Sequence, residues 1–321
     1  MSDTIQPFAL AGVRVIDLSW AVAGPFSTQL LAYCGAEVIK IESMKRIDLA
    51  RLVAHIYGWT SSAELDLDGS YIFNAINQNK LDVRLDLSRP ESVAIVKRLA
   101  QVSDALVENF SAGVLDRLGL GYAVLRQQNP SIIVASLSGC GARGPEARFV
   151  GYAPQFGALS GASHFLGYQD GPPAAIRAPG DLINGSITAF ALLSALLHRQ
   201  QTGRGQFIDL SSREGMSTLV GDALMEYTMN GRDRGRQGNR DEAMAPHNCY
   251  PCRGDGPAGP RADDRWVAIA VGSEAEWRAL CEAMGNPAWA QDERFRTALG
   301  RWEDQEDLDR HIAEWTRTRT P

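Results

Sequence analysis

The sequence predicts an α/β protein: a Rossmann-like large domain on a parallel sheet, followed by a smaller α+β domain. Three observations carry this. Apolar strand-like runs alternate with helix-like runs through residue 212, the texture turns rich in Gly, Arg, Asp and Pro from Arg232, and a new strand-then-helix pattern opens at Trp266. Strands alternating with helices imply parallel pairing, because parallel neighbours need a crossover connection that is normally a helix. The expected boundaries are 1–212 for the large domain, 213–237 for a linker helix and loop, and 238–321 for the small domain.

In chain order, "GVRVIDLS" reads as a buried strand, "GPFSTQLLAYCGA" as a helix that closes on Gly35, and "AEVIKIES" as a second strand. The rhythm continues with "KLDVRLDLS" as strand, "RPESVAIVKRLAQVS" as helix with Pro90 in its first turn, and "DALVENF" as strand. Two short helices are expected in "AGVLDRLGLGYAVLRQQNP", then a strand in "SIIVASLSG" and a loop-rich stretch in "CGARGPEARFVGYAPQFGALSG". Leu182 to Gln201 is the strongest helix. Its apolar residues (Leu182, Ile183, Ile187, Phe190, Leu192, Leu193, Leu196, Leu197) nearly surround it, so it should be largely buried. "QFIDLS" resumes as strand and "REGMSTLVGDALMEYTMNG" as helix. The stretch from Arg232 to the strand "WVAIAVG" reads as linker and mobile loops. The helix "SEAEWRALCEAMG" carries a capping box, Ser273 with Glu276.

With 321 residues, 45% of them hydrophobic and 22% charged, the chain can bury a sizeable core. A net charge of -6 and a pI near 5.5 argue against nucleic acid as a partner. No N-terminal run has the build of a secretory signal, and no uninterrupted apolar run reaches membrane-spanning length, so a cytoplasmic protein without a membrane partner is expected. Five scattered cysteines suit free thiols. Cys249 and Cys252 form a C-x-x-C without the second pair that a structural zinc site needs, so no metal is expected.

The candidate chemistry centres on "APGDLINGS". Asp181 stands where the apolar helix should begin, and taken alone it reads as a helix cap whose carboxylate accepts orphan backbone N–H bonds. The alternative is a carboxylate nucleophile sheltered from water. No G-x-S-x-G elbow, Walker A string or H-E-x-x-H occurs, and the five histidines are scattered singly. "GCGARG" (139–144) matches G-x-G-x-x-G, but Pro145 follows where a dinucleotide site needs a helix start.

The segments "LAGVRVIDLSWAVAGPFSTQLLAYCGAEVIKIES", "NQNKLDVRLDLS", "DALVENFSAGVLDRLGLGY", "NPSIIVASLSG" and "GDLINGSITAFALLSALLHRQQTGRGQFIDLS", in this order and spacing, resemble the family III CoA-transferases, which include formyl-CoA and carnitine CoA-transferases. The resemblance covers nearly the whole chain. It implies that Asp181 is the nucleophile. Asp181 would attack an acyl-CoA thioester carbonyl to give a mixed anhydride, the released CoA thiolate would convert this to an aspartyl-CoA thioester, and an incoming carboxylic acid would take the CoA through a second anhydride. The substrates implied are an acyl-CoA and a carboxylic acid, with no tightly bound cofactor. The resemblance places Trp20, Ala21, Val22 and Ala23 at the pantetheine and thioester end, and Asn79, Lys80, Asn109, Phe110 and Arg117 along the nucleotide. After "KIES" the family often has other nucleotide-touching residues, so Lys45, Arg46 or Arg51 would substitute here.

The glutamate that follows the tyrosine of formyl-CoA transferase is Ala153 here, and a glutamine further on is Gly157, so formate or oxalate specificity does not carry over. Small residues in "GYAPQFGALSG" leave room for a larger acid. α-Methylacyl-CoA racemases, which share the fold, need a histidine in "GHD", and this chain reads "GYA" at Gly151, Tyr152 and Ala153. An interlocked homodimer is expected from the family. Family members usually continue past "EWTRTRTP" into a segment returning to the large domain, so the sequence is expected either to be a fragment or to lack that segment, and a non-catalytic CoA-binding subunit of a hetero-oligomer is the alternative reading.

Overall fold

A computed structural model describes residues 8–56, 66–254 and 264–321. These form two compact units, one ending at His164 and resuming over Ala175–Asp233, the other made of Phe165–Ala174 and Arg234–Pro321.

The larger unit begins β1 (Arg14–Asp17), α1 (Ala23–Tyr33) and β2 (Glu37–Glu42). Two short helices absent from the sequence reading follow, α2 (Leu49–Ile56) and α3 (Tyr71–Ile76), the second capped by the Ser70 hydroxyl. Next come β3 (Lys80–Arg84), α4 (Pro90–Gln101), β4 (Ala105–Glu108), α5 (Val114–Arg117), α6 (Tyr122–Gln128) and β5 (Ile133–Ser138). The expected loop-rich stretch contains a helix, α7 (Ala153–Leu159), whose Gly and Pro content disguised it. The unit closes with α8 (Ala178–Thr202), β6 (Phe207–Ser211), α9 (Ser212–Ser217) and α10 (Gly221–Asn230).

All six strands pair in parallel in the order β3-β2-β1-β4-β5-β6. Period-two alternation sorts each strand between two cores. Val15, Val38, Val107 and Ile133 face Leu31 of α1 and Leu192 and Leu196 of α8, while Ile16, Ile41, Leu106 and Val134 face Val96, Leu120 and Leu125 on the other side. A sheet covered on both faces explains why its central strands are apolar runs. The strand order reverses between β1 and β4, the place where open α/β sheets bind ligands at the carboxyl ends of their strands.

α8 corrects two expectations. It starts three residues before Asp181, with Pro179 in its first turn where a missing N–H costs nothing. It is also not buried all round: Leu192, Ala195 and Leu196 pack on the sheet, whereas Leu182, Phe190, Leu193 and Leu197 are exposed. By length and composition Pro179–Thr202 is apolar enough to cross a membrane, although its buried stripe belongs to the sheet's core.

In the smaller unit β7 (His247–Pro251) pairs antiparallel with β8 (Trp266–Ala270), and α11 (Glu274–Ala283), α12 (Ala298–Glu303) and α13 (Gln305–Thr316) follow. β7 lies in the stretch expected to be linker and loop, of which 255–263 fall outside the described residues. Its core gathers Tyr250, Trp277, Phe295, Leu308 and Ile312 around Arg301, whose buried guanidinium donates to Glu274 and to the Ala245 and Phe295 carbonyls. A buried charge is tolerable when paired and bonded in this way. All five cysteines are free thiols.

Candidate active site

At the carboxyl ends of β1, β4 and β5 the turns open a cleft of about 240 Å3. Its walls include Trp20 to Ala23 after β1, Arg46 after β2, Asn109 to Ala112 after β4, Ser138 and Gly139 at the end of β5, Asp181 and Asn184 on one face of α8, and Ser212 at the start of α9. Phe149, Tyr152 and Phe156 form the remaining wall. Close packing of α8 on α1 makes this possible. A Cβ on Gly185 would stand 2.6 Å from the Ala23 carbonyl oxygen and 2.9 Å from the Phe26 ring, so only glycine lets the Asp181 end of α8 reach the cleft.

Asp181 is in the first turn of α8, not at its cap, and its carboxylate takes no hydrogen bond from any described residue. Burial raises its pKa from 3.8 to about 6, with no opposing charge or hydrogen bond. A capping acid would show the reverse, since accepted N–H bonds favour the ionised form. An acid held out of water with unused lone pairs can attack an electrophilic carbonyl and shelter the product from hydrolysis. Asn184, one turn on, is buried and donates to the Gly180 carbonyl (3.0 Å). Beside them the Ser138 hydroxyl is buried without a partner.

A second cleft of about 490 Å3 lies across Trp20, lined by the cations Lys40, Lys45 and Arg46, the acids Glu42, Asp48 and Asp86, and an apolar floor that includes Leu18, Leu87 and Phe110. The Arg46 guanidinium sits 4.3 Å from the Trp20 ring centroid, a cation over an aromatic face between the two clefts. Lys45 is exposed and its Nζ donates to the Ser88 hydroxyl (3.2 Å). Cationic groups beside an apolar floor suit a ligand with an anionic end and a flat or chain-like body.

The structure therefore brings Trp20, Ala21, Val22, Ala23, Arg46, Asn109 and Phe110 together with Asp181, and sets Lys45 in the adjoining cleft. It does not bring Asn79, Lys80 or Arg117 to either. Asn79 precedes β3 at φ 61°, and Arg117 is exposed at the end of α5. Lys80 is a structural cation: its buried Nζ donates to Asp17 (3.0 Å), the Pro25 carbonyl (2.7 Å) and Asn77 (2.9 Å). Burial lowers it to about 8, with Asp17 opposing. Burial pushes Asp17 up, but Lys80, Lys40, Ser19 and Thr28 outweigh it and hold the carboxyl well below the usual range. Arg51 is likewise engaged, paired with Glu42 (2.7 Å) and stacked 3.5 Å from the Phe73 ring centroid. Glu108, at the end of β4, accepts the Phe110 N–H (2.6 Å), and burial raises it to about 7.

Sequence reasoning missed Ser138, Asn184 and Ser212 in the cleft wall. Asn184 was signalled by its spacing, one helical turn from Asp181. Ser138 was signalled by its place at a strand's carboxyl end. Ser212 carried no signal.

A doubly wound sheet with a desolvated carboxylate beside a cation-rimmed cleft defines an enzyme that handles a nucleotide-like ligand and has an acid in place to react with it. The chain belongs to CoA-transferase family III, whose family model matches residues 10–321. It is 36% identical over 318 residues to the succinyl-CoA–D-citramalate CoA-transferase of Chloroflexus aurantiacus, spanning 98% of this chain and 75% of that one. It is 34% identical to the succinate–glutarate CoA-transferase of Agrobacterium fabrum, over 91% of this chain and 70% of the relative. The crystal structure of a CaiB/BaiF family protein from Brucella suis matches with a TM-score of 0.84 at 31% identity, covering 97% of this chain and 79% of that one.

Proposed function

We propose that this protein transfers CoA from an acyl-CoA thioester to a carboxylic acid through Asp181, with short dicarboxylates such as succinate as donor and acceptor acids. The observation that carries the reading is the Asp181 carboxylate itself, raised by burial and free of hydrogen bonds at a cleft wall. Its oxygen attacks the thioester carbonyl and expels the CoA thiolate, leaving a mixed anhydride. The thiolate then attacks the aspartyl carbonyl of that anhydride and releases the first acid. The acceptor carboxylate displaces the thiolate from aspartyl-CoA in the same way, and the thiolate's return to the acceptor's carbonyl frees Asp181. Four acyl exchanges balance with no ATP and no net proton. The relatives' names support dicarboxylates, and Ala153 and Gly157 take little space near the cleft wall. Trp20, Ala21, Val22 and Ala23 line the thioester end, Asn109 and Phe110 lie along the nucleotide, and Lys45 and Arg46 meet the phosphates. A second copy of the chain covers the exposed Leu182, Phe190, Leu193 and Leu197, as the expected homodimer requires.

The test is intact mass after brief incubation with succinyl-CoA, with hydroxylamine trapping and peptide mapping. A hydroxamate at Asp181 is expected, absent in Asp181→Ala, and a trapped adduct elsewhere refutes the assignment. Sedimentation of the purified protein should give a dimer, and a monomer would remove the second copy.

A further inference from the structure

The turn leaving β1, Ser19–Trp20–Ala21, is the lip of both clefts, because Trp20 lines each of them. Ala21 sits at φ 61°, a left-handed conformation that residues with a Cβ seldom adopt unless their surroundings impose it. Side chains do the imposing. The Ser19 N–H donates to Asp17 Oδ1 (2.9 Å), and Lys40 Nζ donates to the Ser19 carbonyl (2.8 Å). The Trp20 N–H donates to Asn109 Oδ1 (2.9 Å) while Asn109 Nδ2 donates to the Trp20 carbonyl (2.8 Å), and the Ala21 N–H donates to Asp48 Oδ1 (2.8 Å). Every backbone donor and acceptor from the Ser19 nitrogen to the Ala21 nitrogen is thus held by a side chain.

These grips come from separate parts of the sheet's edge. Lys40 is on β2, Asn109 follows β4, and Asp48 immediately precedes α2. Asp48 Oδ1 also accepts the Ala50 N–H (2.9 Å), tying the turn to the start of α2, and its other oxygen lies 3.4 Å from Lys40 Nζ. Both ends of the Asn109 amide are occupied by the backbone of one residue, Trp20. Its influence on a ligand therefore runs through Trp20. An ungripped Ala21 would relax to negative φ and carry the Trp20 backbone with it, so the ligand would have to reorder the lip on binding.

We infer that Asn109 and Asp48 are positioning residues that hold Trp20 and Ala21 in a left-handed turn and thereby set the affinity for the acyl-CoA. This rests on the proposed function for the identity of the ligand. Loss of two hydrogen bonds from one turn sets the expected scale at about tenfold.

The experiment uses the full chain and compares Asn109→Ala, Ala21→Gly and the double variant by steady-state kinetics with succinyl-CoA, alongside amide exchange at Trp20 and Ala21. Asn109→Ala should raise KM about tenfold with kcat within about threefold, and quicken exchange at Trp20. Glycine adopts the turn without being held, so in the Ala21→Gly background the same substitution should raise KM only about threefold. Asp48→Asn, which keeps an acceptor for the Ala21 N–H, should raise KM less than Asp48→Ala, and should Asp48→Ala not fold, the Asn109 pair decides. A fall in kcat at unchanged KM, or an Asn109→Ala penalty of equal size in the Ala21→Gly background, overturns the inference, because lost folding lowers only the amount of active enzyme. A wild type that turns over no acyl-CoA refutes the function and the affinity claim together, while unchanged exchange in Asn109→Ala refutes the grip alone.

Discussion

Replacing Asp181 by Asn should make the protein more stable at neutral pH, and by an amount the structure fixes. The carboxyl rises from 3.8 to about 6 through burial, so the folded state resists ionising it. At about 1.4 kcal/mol per pKa unit, the ionised side chain costs the folded state up to about 3 kcal/mol, and the part of the side chain that water reaches brings this nearer to about 2. The sign follows from linkage. As pH falls through 6 towards 3.8, the folded protein takes up a proton the unfolded chain does not, so the wild type gains stability across that window. Asparagine is neutral throughout and gains nothing. Urea unfolding of both proteins, followed in the larger unit's transition, should show Asp181→Asn ahead by about 2 kcal/mol near pH 8 and nearly level with the wild type near pH 4. An Asp181→Asn protein no more stable than the wild type near pH 8 is what a cap gives, since asparagine caps a helix about as well as aspartate, and it would refute the reasoning. So would a gap that does not change with pH.

The same carboxyl must be ionised to attack, so log kcat/KM for the acyl-CoA should fall below an apparent pKa of about 6; a limb near 4 would mean an unperturbed acid. Removing the cation over Trp20 with Arg46→Ala should raise KM about fivefold at low salt and leave kcat nearly unchanged, and an unaltered KM would take Arg46 out of the binding surface. Gly185→Ala should destabilise the fold by about 2 kcal/mol in thermal unfolding, because its Cβ meets the Ala23 carbonyl; a neutral effect would show that α1 and α8 are not held this close.

Much of the fold was legible because the parallel strands are short apolar runs set between helices with recognisable ends. Pro90 in the first turn of α4, and the Ser273 and Glu276 box at α11, marked boundaries well. What escaped was decided by long-range contacts. α7 hides in "APQFGAL", where Gly157 is packed against Ile176, Met216 and Ser163. β7, "HNCYP", has no aliphatic run and ends on proline, so its strand character comes from pairing with β8. At the site, the resemblance places Lys80 along the nucleotide but cannot say which way it points: its ammonium is spent on Asp17, the Pro25 carbonyl and Asn77. Asn109 lines the cleft, yet its amide is spent on Trp20. The exposed side of α8 shows the limit of periodicity, which reports that a helix is apolar all round but not what covers it.

The reversal of strand order between β1 and β4 divides labour within one crevice. On the proposed reading, the bank built on β1, β2 and β3 handles the carrier, the same whatever acid it bears. The bank built on β5, α7 and α8 reads the acid. The Trp20 turn is the seam between them. Substitutions around Tyr152, Ala153 or Gly157 can then retune the choice of acid while leaving the carrier's grip intact, so a single scaffold can diversify by changing one bank at a time.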